Sequence, residues 1–228
     1  QRFLVELLNV PSPTGFAQQA IETTRTALNA FPDLEMHLNR KGALIANWEG
    51  DKRDSVRALT AHVDTLGAMV KEIKPNGRLK LTKIGGLMLN AVETEGCSVF
   101  TRGGEVMRGS LLIEKASAHV YGKEAIDTPR NEETMEVRLD SCTLSADETR
   151  QLGISVGDFV AFDPRVELTN GFIRSRFLDD KACVACILSA VKTLHDAGLK
   201  PAQKTILHIS NYEEVGHGAA TGIPGEVS

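Results

Sequence analysis

The hydrophobic pattern of this chain changes its period twice, and this change most restricts the folds open to it. Up to about residue 68, apolar residues recur at helical spacing and also gather in short runs typical of buried strands, and the same texture returns near residue 167. Between these stretches, apolar and polar residues alternate around the turn signals Asn76-Gly77 and Gly103-Gly104. The pattern predicts an α/β domain made from residues 1–68 and 167–228, interrupted by a β-rich insert domain of residues 69–166.

The composition excludes several classes of protein. The 228 residues include 26 Lys and Arg against 30 Asp and Glu, and the resulting net charge of −4 disfavours nucleic acid as a partner. No apolar run approaches the roughly 18–20 residues that would cross a bilayer, and the first residues lack a signal-peptide pattern, so we expect no membrane association. The four cysteines fit isolated thiols in a reducing compartment, and the expected location is cytoplasmic.

Two of the cysteines, Cys183 and Cys186, form a CxxC pair that could indicate redox chemistry or half of a zinc site. The surrounding residues are typical of a helix in which both sulfur atoms would join one apolar face. The sequence has no second CxxC or CxxH pair to complete a zinc site. We therefore predict that both thiols pack in the core.

Three short segments carry the residues best suited to chemistry, and each one follows an apolar strand or opens a helix. They contain His62 and Asp64, then Asp179 and Asp180, and finally Glu213, Glu214 and His217. Ligand sites of open α/β sheets lie at the carboxyl ends of the strands, so the three segments can meet despite their separation along the chain. Two pairs of adjacent carboxylates would repel one another without a cation. The donor set is typical of a two-metal hydrolase.

Each segment alone also has an ordinary structural explanation. A histidine at a strand end is most often a satisfied core or surface residue. Adjacent aspartates are common at helix starts, where they interact favourably with the helix dipole, and adjacent glutamates usually lie on a solvated face. Only the combination of the three segments favours a metal site.

Five motifs occur in the order and at the separations of a known family: PSPTG, TAHVDTLGAMV, SAHVYG at 117–122, FLDDKACVA and NYEEVGHGAA. In these motifs the chain resembles the cobalt- or zinc-dependent aminopeptidases of the glutamyl-aminopeptidase and deblocking-aminopeptidase type, which form tetrahedral dodecamers. The resemblance implies a zinc-peptidase-like α/β sandwich of the phosphorylase/hydrolase type, interrupted by a β-rich insert. It also implies short peptides as substrates and a homo-oligomer, a dodecamer, as the assembled form.

The same resemblance implies two divalent metal ions and assigns them ligands. His62 corresponds to a ligand of one metal, Asp179 to the carboxylate that bridges both, and Glu214 to a ligand of the second. Histidine and carboxylate ligands suit zinc, cobalt and manganese, so the residues leave the identity of the metal open, with zinc or cobalt favoured by the resemblance.

The implied reaction is hydrolysis of an N-terminal peptide bond by a metal-bridged water. Glu213 corresponds to the general base that takes the proton of this water and later delivers it to the leaving amine. Asp64 corresponds to the carboxylate that orients the imidazole of His62, as carboxylates beside metal-binding histidines commonly do.

Three further residues are weaker candidates for the site. Asp180 follows Asp179 through a peptide bond that is often cis in related enzymes. His119, in SAHVYG, could reach the site of a neighbouring subunit. His217 could serve the site or be a polar loop residue, because the family often has another residue at this position.

Related enzymes use two further metal ligands, an Asp shortly beyond the EEVG segment and a His near the C-terminus. The sequence ends at Ser228 before either one. We therefore expect the chain to be part of a longer protein whose C-terminal part is missing here, and we expect this part alone to expose a large apolar surface.

Two other functions remain open on the residues alone. One is a related co-catalytic metal hydrolase, such as a deacylase or carboxypeptidase acting on small amides. The other is a non-catalytic scaffold or peptide-binding protein that keeps the fold without the metals.

Overall fold

The computed structural model describes residues 1–225 and 227, apart from the side chains of residues 53 and 54. The chain forms two compact units, residues 1–65 with 164–228 and residues 66–163. The structural boundaries therefore fall after Thr65 and after Asp163, whereas the hydrophobic pattern indicated boundaries after residues 68 and 166.

The helices in the described part of the chain are α1 (Arg2–Leu8), α2 (Gln18–Leu28), α3 (Ala118–Tyr121), α4 (Lys123–Asp127), α5 (Ala146–Gln151) and α6 (Leu178–Asp196). The strands are β1 (Leu34–Leu38), β2 (Leu44–Trp48), β3 (Lys52–His62), β4 (Gly67–Ile73), β5 (Leu79–Ile84), β6 (Gly96–Phe100), β7 (Val106–Ile113), β8 (Met135–Leu139), β9 (Phe159–Phe162), β10 (Glu167–Thr169), β11 (Phe172–Arg174) and β12 (Gln203–Ser210). Single 3₁₀ turns span Leu89–Ala91 and Glu213–Val215. None of the helices described is long and apolar enough to cross a membrane.

The first unit is built on a four-stranded sheet in the order β1-β2-β12-β3. Strand β12 pairs antiparallel with β2 and parallel with β3. One face of the sheet packs on α2 and α6, where Ala20, Val184 and Leu207 belong to the same buried cluster. A parallel pair at the centre of the unit explains why the residues Ile206 to Ser210 are all buried, since both faces of the strand are covered.

Among the described residues, the outer edge of β3 carries one parallel bridge, between Val56 and Val227. On the second face of the sheet, Val56 joins a smaller buried cluster with Ile45 and Ile206, and Val227 packs against it. The end of the described chain therefore contacts the same sheet that packs on α2 and α6.

The second unit is a closed barrel in the strand order β4-β5-β8-β7-β6-β9, completed by pairing of β9 with β4. Closure pairs each barrel strand on both sides and leaves no open edge. The turn at Asn76-Gly77 joins β4 to β5, and the turn at Gly103-Gly104 joins β6 to β7, as the alternating pattern predicts. Ser145 opens α5, and its Oγ accepts a hydrogen bond from the Glu148 N–H at 3.3 Å.

The prediction for Cys183 and Cys186 is wrong, because both thiols are exposed. Helix α6 turns Val184 and Ile187 toward the sheet, with Lys181 one turn before them. Each cysteine precedes one of these two core residues by one position, and one residue turns the helix by about 100°, so both thiols are rotated away from the buried face. The spacing of three residues correctly places both thiols on one face, but that face is the solvated one.

Lys181 is a buried lysine at the start of α6. Its ammonium group donates hydrogen bonds to the backbone oxygens of Leu7 at 3.0 Å and Val10 at 2.7 Å, which lie at the end of α1 and just beyond it. Burial lowers the pKa of Lys181 to about 7. The side chain thus ties the first helix to the segment that begins with the two aspartates.

We expect Lys181→Ala to lower the free energy of unfolding by about 2–4 kcal/mol, because it leaves two carbonyl groups without their donor and opens a cavity. Urea unfolding of the metal-free whole protein measures this change. Lys192→Ala, which removes an exposed lysine on the same helix, is the matched control and should cost less than about 0.5 kcal/mol. Equal unfolding midpoints for the two variants would contradict the prediction.

Candidate functional site

The two strands that carry the first and third segments end side by side. In the parallel pair of β3 and β12, His62 lies opposite Ser210, and the Val63 N–H donates to the Ser210 oxygen at 3.1 Å. The chain beyond each strand therefore leaves the sheet at the same edge. This is the edge at which ligand sites of α/β sheets form.

The second segment reaches this edge through the start of α6. The Asp179–Asp180 peptide bond is cis, and both residues have non-helical backbone angles. The His62 N–H lies 3.4 Å from Asp180 Oδ2, which attaches the start of the helix to the end of β3.

An aromatic residue in left-handed backbone conformation precedes each acidic pair. Phe177, two residues before Asp179, and Tyr212, directly before Glu213, both have φ of 65°. Bulky residues rarely adopt this region, at a cost on the order of 1 kcal/mol or more, and such positions concentrate at functional sites. The backbone is thus bent sharply at the two places where carboxylates enter the cluster.

His62 is the centre of the cluster. Its Nδ1 lies 2.9 Å from the backbone oxygen of Asp64 and 3.5 Å from Asp64 Oδ1. Because a carbonyl oxygen can only accept, Nδ1 carries the proton, and Nε2 of the neutral ring keeps its lone pair. Nε2 faces two carboxylates, with Asp179 Oδ1 at 3.3 Å and Glu213 Oε2 at 3.5 Å.

Asp64 is fully buried beneath this cluster and is held by several donors. Its carboxylate accepts the Thr14 hydroxyl at 2.7 Å, the Glu213 N–H at 3.2 Å and the Glu214 N–H at 3.3 Å. Burial by itself raises the pKa of Asp64, but the hydrogen bonds from His62, Thr14 and the Glu213 N–H outweigh burial and lower it. The carboxylate therefore stays ionised and joins the first segment to the third.

The same contacts raise the pKa of His62. Burial of the ring lowers this pKa, but the hydrogen bonds to Asp64 and the negative charges of Asp64 and Glu213 outweigh it and raise the value from 6.5 to about 9. The surroundings of the imidazole therefore favour a positive charge.

The pKa of Glu214 shows how the same surroundings affect a carboxylate. Its pKa is raised chiefly by burial; the positive charge of His62 opposes this rise, and the negative charges of Asp64, Asp179 and Glu213 add to it. Several carboxylates share a small volume with one imidazole, and a divalent cation would relieve their repulsion.

The separation of two donors fits a shared metal ion. Ligands of a tetrahedral ion with bonds of about 2.0–2.1 Å lie about 3.3 Å apart, and His62 Nε2 lies 3.3 Å from Asp179 Oδ1. Across residues 1–225 and 227, no group of three His, Cys, Asp or Glu side chains already has the arrangement of a metal site. The described residues thus supply one matching ligand pair and further carboxylates near it.

Two of the weaker candidates, His119 and His217, make none of these contacts among the described residues. His119 is exposed on α3 in the barrel unit. His217 is exposed, and its backbone oxygen accepts the Lys41 ammonium group at 2.7 Å.

Thr14 is a site residue that the sequence pattern did not single out, although it lies within PSPTG. Its hydroxyl binds Asp64, and the neighbouring Pro13 pairs with Thr65 in a short parallel bridge. In the sequence, PSPTG serves only as one of the five motifs of the resemblance. A buried partner 50 residues away cannot be inferred from such a short motif.

Residues 42–228 match the M42 glutamyl aminopeptidase family. The chain belongs to this family. The matched range includes all three segments of the cluster. Thr14, in the PSPTG motif, lies before the matched range.

A curated relative, YhfE of Bacillus subtilis (strain 168), carries an aminopeptidase name and is 46% identical over 222 residues. The alignment covers 97% of this chain and 64% of YhfE, so the chain spans just under two thirds of that relative.

Solved structures of TET aminopeptidases share the fold. A TET aminopeptidase from a marine sediment Thaumarchaeota archaeon superposes with a TM-score of 0.83 at 19% identity, covering 94% of this chain and 59% of the other. The Pyrococcus horikoshii TET1 peptidase, which can assemble into a tetrahedron or a large octahedral shell, gives 0.75 at 23% identity, covering 94% and 62%. The mixed α/β fold with its β-rich insert is thus the fold that the resemblance implied.

Proposed function

We propose that the whole protein is a metal-dependent aminopeptidase that hydrolyses the N-terminal peptide bond of short peptides. The observation that supports this proposal is the position of His62 Nε2, 3.3 Å from Asp179 Oδ1 and 3.5 Å from Glu213 Oε2. The second candidate ligand, Asp179, and the candidate base, Glu213, therefore both lie within 3.5 Å of the same imidazole nitrogen. Membership of the M42 family supplies the reaction class.

In this proposal His62, Asp179 and Glu214 hold two divalent cations, zinc or cobalt, with manganese as a third choice. When bound, the cations supply Lewis-acid polarisation of the scissile carbonyl and lower the pKa of water. Asp179 is suited to serve both cations because its carboxylate has two oxygens and its side chain is 92% exposed.

Glu213 has the chemistry and the access of a general base. Its carboxylate is half-exposed, so water and a peptide can reach it, and its backbone N–H is anchored to buried Asp64. Glu213 takes the proton of the attacking water and later donates it to the leaving amine, so the side chain ends the cycle unprotonated. Asp64 keeps the proton of His62 on Nδ1, and this leaves Nε2 free as a donor to a cation.

A substrate panel tests the reaction. We expect the whole protein to cleave aminoacyl anilides with a free α-amino group and to leave their N-acetyl counterparts intact. A chelator should abolish this cleavage, and zinc or cobalt should restore it. Cleavage of only the N-acylated set would instead identify a deacylase, which is the alternative that the residues left open.

The metal content separates the enzyme from a scaffold with the same fold. We expect about two divalent ions per chain in the whole protein purified without chelator. Fewer than one tightly bound ion per chain would favour the non-catalytic alternative.

The proposed assembled form is a homo-oligomer located in the cytoplasm. The TET1 peptidase of similar fold supports the homo-oligomer, since it can assemble into a tetrahedron or a large octahedral shell. Light scattering of the whole protein measures the number of copies.

The prediction that His119 serves a neighbouring subunit's site is tested by His119→Ala, which should lower kcat without changing the mass of the assembly.

A further inference from the structure

A tight turn between β1 and β2 lies against the loop that carries Glu213 and Glu214. The turn is closed by Asn39, whose side-chain oxygen accepts the N–H groups of Lys41 at 2.9 Å and Ala43 at 3.0 Å. Gly42 has a φ of 79°, which favours glycine at this point. These hydrogen bonds within the turn fix its shape independently of its contacts with the loop.

In the described part of the chain, two hydrogen bonds join this turn to the loop, and both involve Lys41. The buried Asn211 Nδ2 donates to the Lys41 backbone oxygen at 2.8 Å. The Lys41 ammonium group donates to the His217 backbone oxygen at 2.7 Å. Asn211 and His217 flank the five residues 212–216, which we call the glutamate loop. One residue of the turn, Lys41, therefore holds both ends of this loop.

The loop between these two attachments has little internal support. It is a single 3₁₀ turn, Glu213–Val215, between the left-handed residues Tyr212 and Gly216. Its internal closures are the Gly216 N–H to the Glu213 oxygen at 2.7 Å and the His217 N–H to the Tyr212 oxygen at 3.0 Å. One turn of this kind contributes little stability of its own, so its geometry depends on its neighbours.

Close packing at the far end of the loop makes the position of Glu213 sensitive to His217. Gly218 lies directly against the Glu213 side chain, and a Cβ on Gly218 would be 2.8 Å from Glu213 Cβ. Gly218 follows the residue that Lys41 holds. A shift of the His217 carbonyl would therefore move the surface on which Glu213 rests.

We propose that Lys41 is a positioning residue for Glu213, acting through the carbonyl of His217 and the side chain of Asn211. Asp64 holds the loop from the side of the sheet through the Glu213 and Glu214 N–H groups, and Lys41 holds it from the opposite end. The catalytic consequence rests on the proposed function, whereas the mechanical role of Lys41 does not.

Two neighbouring substitutions test this role in the whole protein. Lys41→Met removes the ammonium group but keeps the length of the side chain. Arg40→Met removes a neighbouring exposed cation that has no hydrogen bond among the described residues, and it serves as the matched control. Lys41→Arg keeps a donor that can reach the same carbonyl.

Hydrogen exchange of the metal-free protein is the first readout. In Lys41→Met we expect the amides of Gly216 and His217 to exchange about tenfold faster, with the amides of β12 unchanged. We expect kcat on an aminoacyl anilide to fall about tenfold while KM changes less than about twofold, because the base is displaced and the substrate contacts remain. Lys41→Arg should lie close to the unchanged protein in both measurements.

Equal exchange and equal kcat in Lys41→Met and Arg40→Met would overturn the proposal. A loss that Lys41→Arg does not rescue would also overturn it, since a guanidinium group can make the same hydrogen bond. If the unchanged protein cleaves no peptide, the proposed function fails, and the exchange of Gly216 and His217 still decides the role of Lys41.

Discussion

Replacing Glu213 by Gln in the whole protein is expected to lower kcat by about 10²–10⁴-fold, the range that general-base catalysis contributes. The amide has nearly the same shape as the carboxylate but cannot take a proton from water. The amide can occupy the position in which Glu213 Oε2 now lies 3.5 Å from His62 Nε2. Metal affinity is therefore expected to change much less than kcat.

The measurement is steady-state hydrolysis of an aminoacyl anilide, together with metal titration of the same preparation. Glu35→Gln makes the same chemical change at an exposed position on β1 and should keep the kcat of the unchanged protein. A Glu213→Gln variant that retained full kcat would rule out Glu213 as the base. A variant that lost both kcat and metal would instead make Glu213 a ligand.

Asp64→Asn is expected to weaken metal binding by about 10–100-fold, the usual effect of removing a carboxylate that supports a metal-binding histidine. Asp64 accepts from Thr14 Oγ1, from Glu213 N and from Glu214 N. An amide nitrogen at either carboxylate position would face donors instead of accepting from them. The loss should thus affect the imidazole and the glutamate loop together.

Metal affinity measured by competition with a chelator checks this result, with urea unfolding of the metal-free protein alongside it. Asp33→Asn, at an exposed position before β1, is the matched control. Thr14→Val removes one of the donors to Asp64 and should weaken metal binding less than Asp64→Asn. Metal affinity of Asp64→Asn equal to that of the control would contradict the supporting role of this carboxylate.

The two variants separate two kinds of contribution. Glu213→Gln should lower kcat at nearly constant metal affinity, whereas Asp64→Asn should lower metal affinity first and kcat as a consequence. The distinction follows from burial, since Asp64 is fully buried and Glu213 is half-exposed to a substrate. Buried carboxylates that satisfy several donors hold geometry, and accessible ones exchange protons with solvent.

The spacing of apolar residues predicted structure correctly where it also fixed which face of an element is buried. The alternation around Asn76-Gly77 correctly predicted the β4–β5 hairpin, because alternate residues of a barrel strand face the interior. The same kind of reasoning misplaced Cys183 and Cys186 on α6. Helical spacing shows which residues share a face, but which face is buried depends on where the sheet lies.

The residues that support the site were beyond sequence reasoning for a related reason. Thr14 and Lys41 act through partners that are 50 and 176 residues away in the chain. Neither has a residue type or spacing that distinguishes it from an ordinary turn residue. Their roles exist only because the first turn and the first hairpin pack against the ends of β3 and β12.

The sequence by itself determined the chemistry available to this protein, because donor atoms, charge and hydrophobic period are properties of local residues. His62, Asp179 and Glu213 could be named as candidates on that basis. The tertiary structure alone decided their geometry. Parallel pairing of β3 with β12 places His62 opposite Ser210, and only this register brings an imidazole within 3.5 Å of a glutamate 151 positions later (213 − 62).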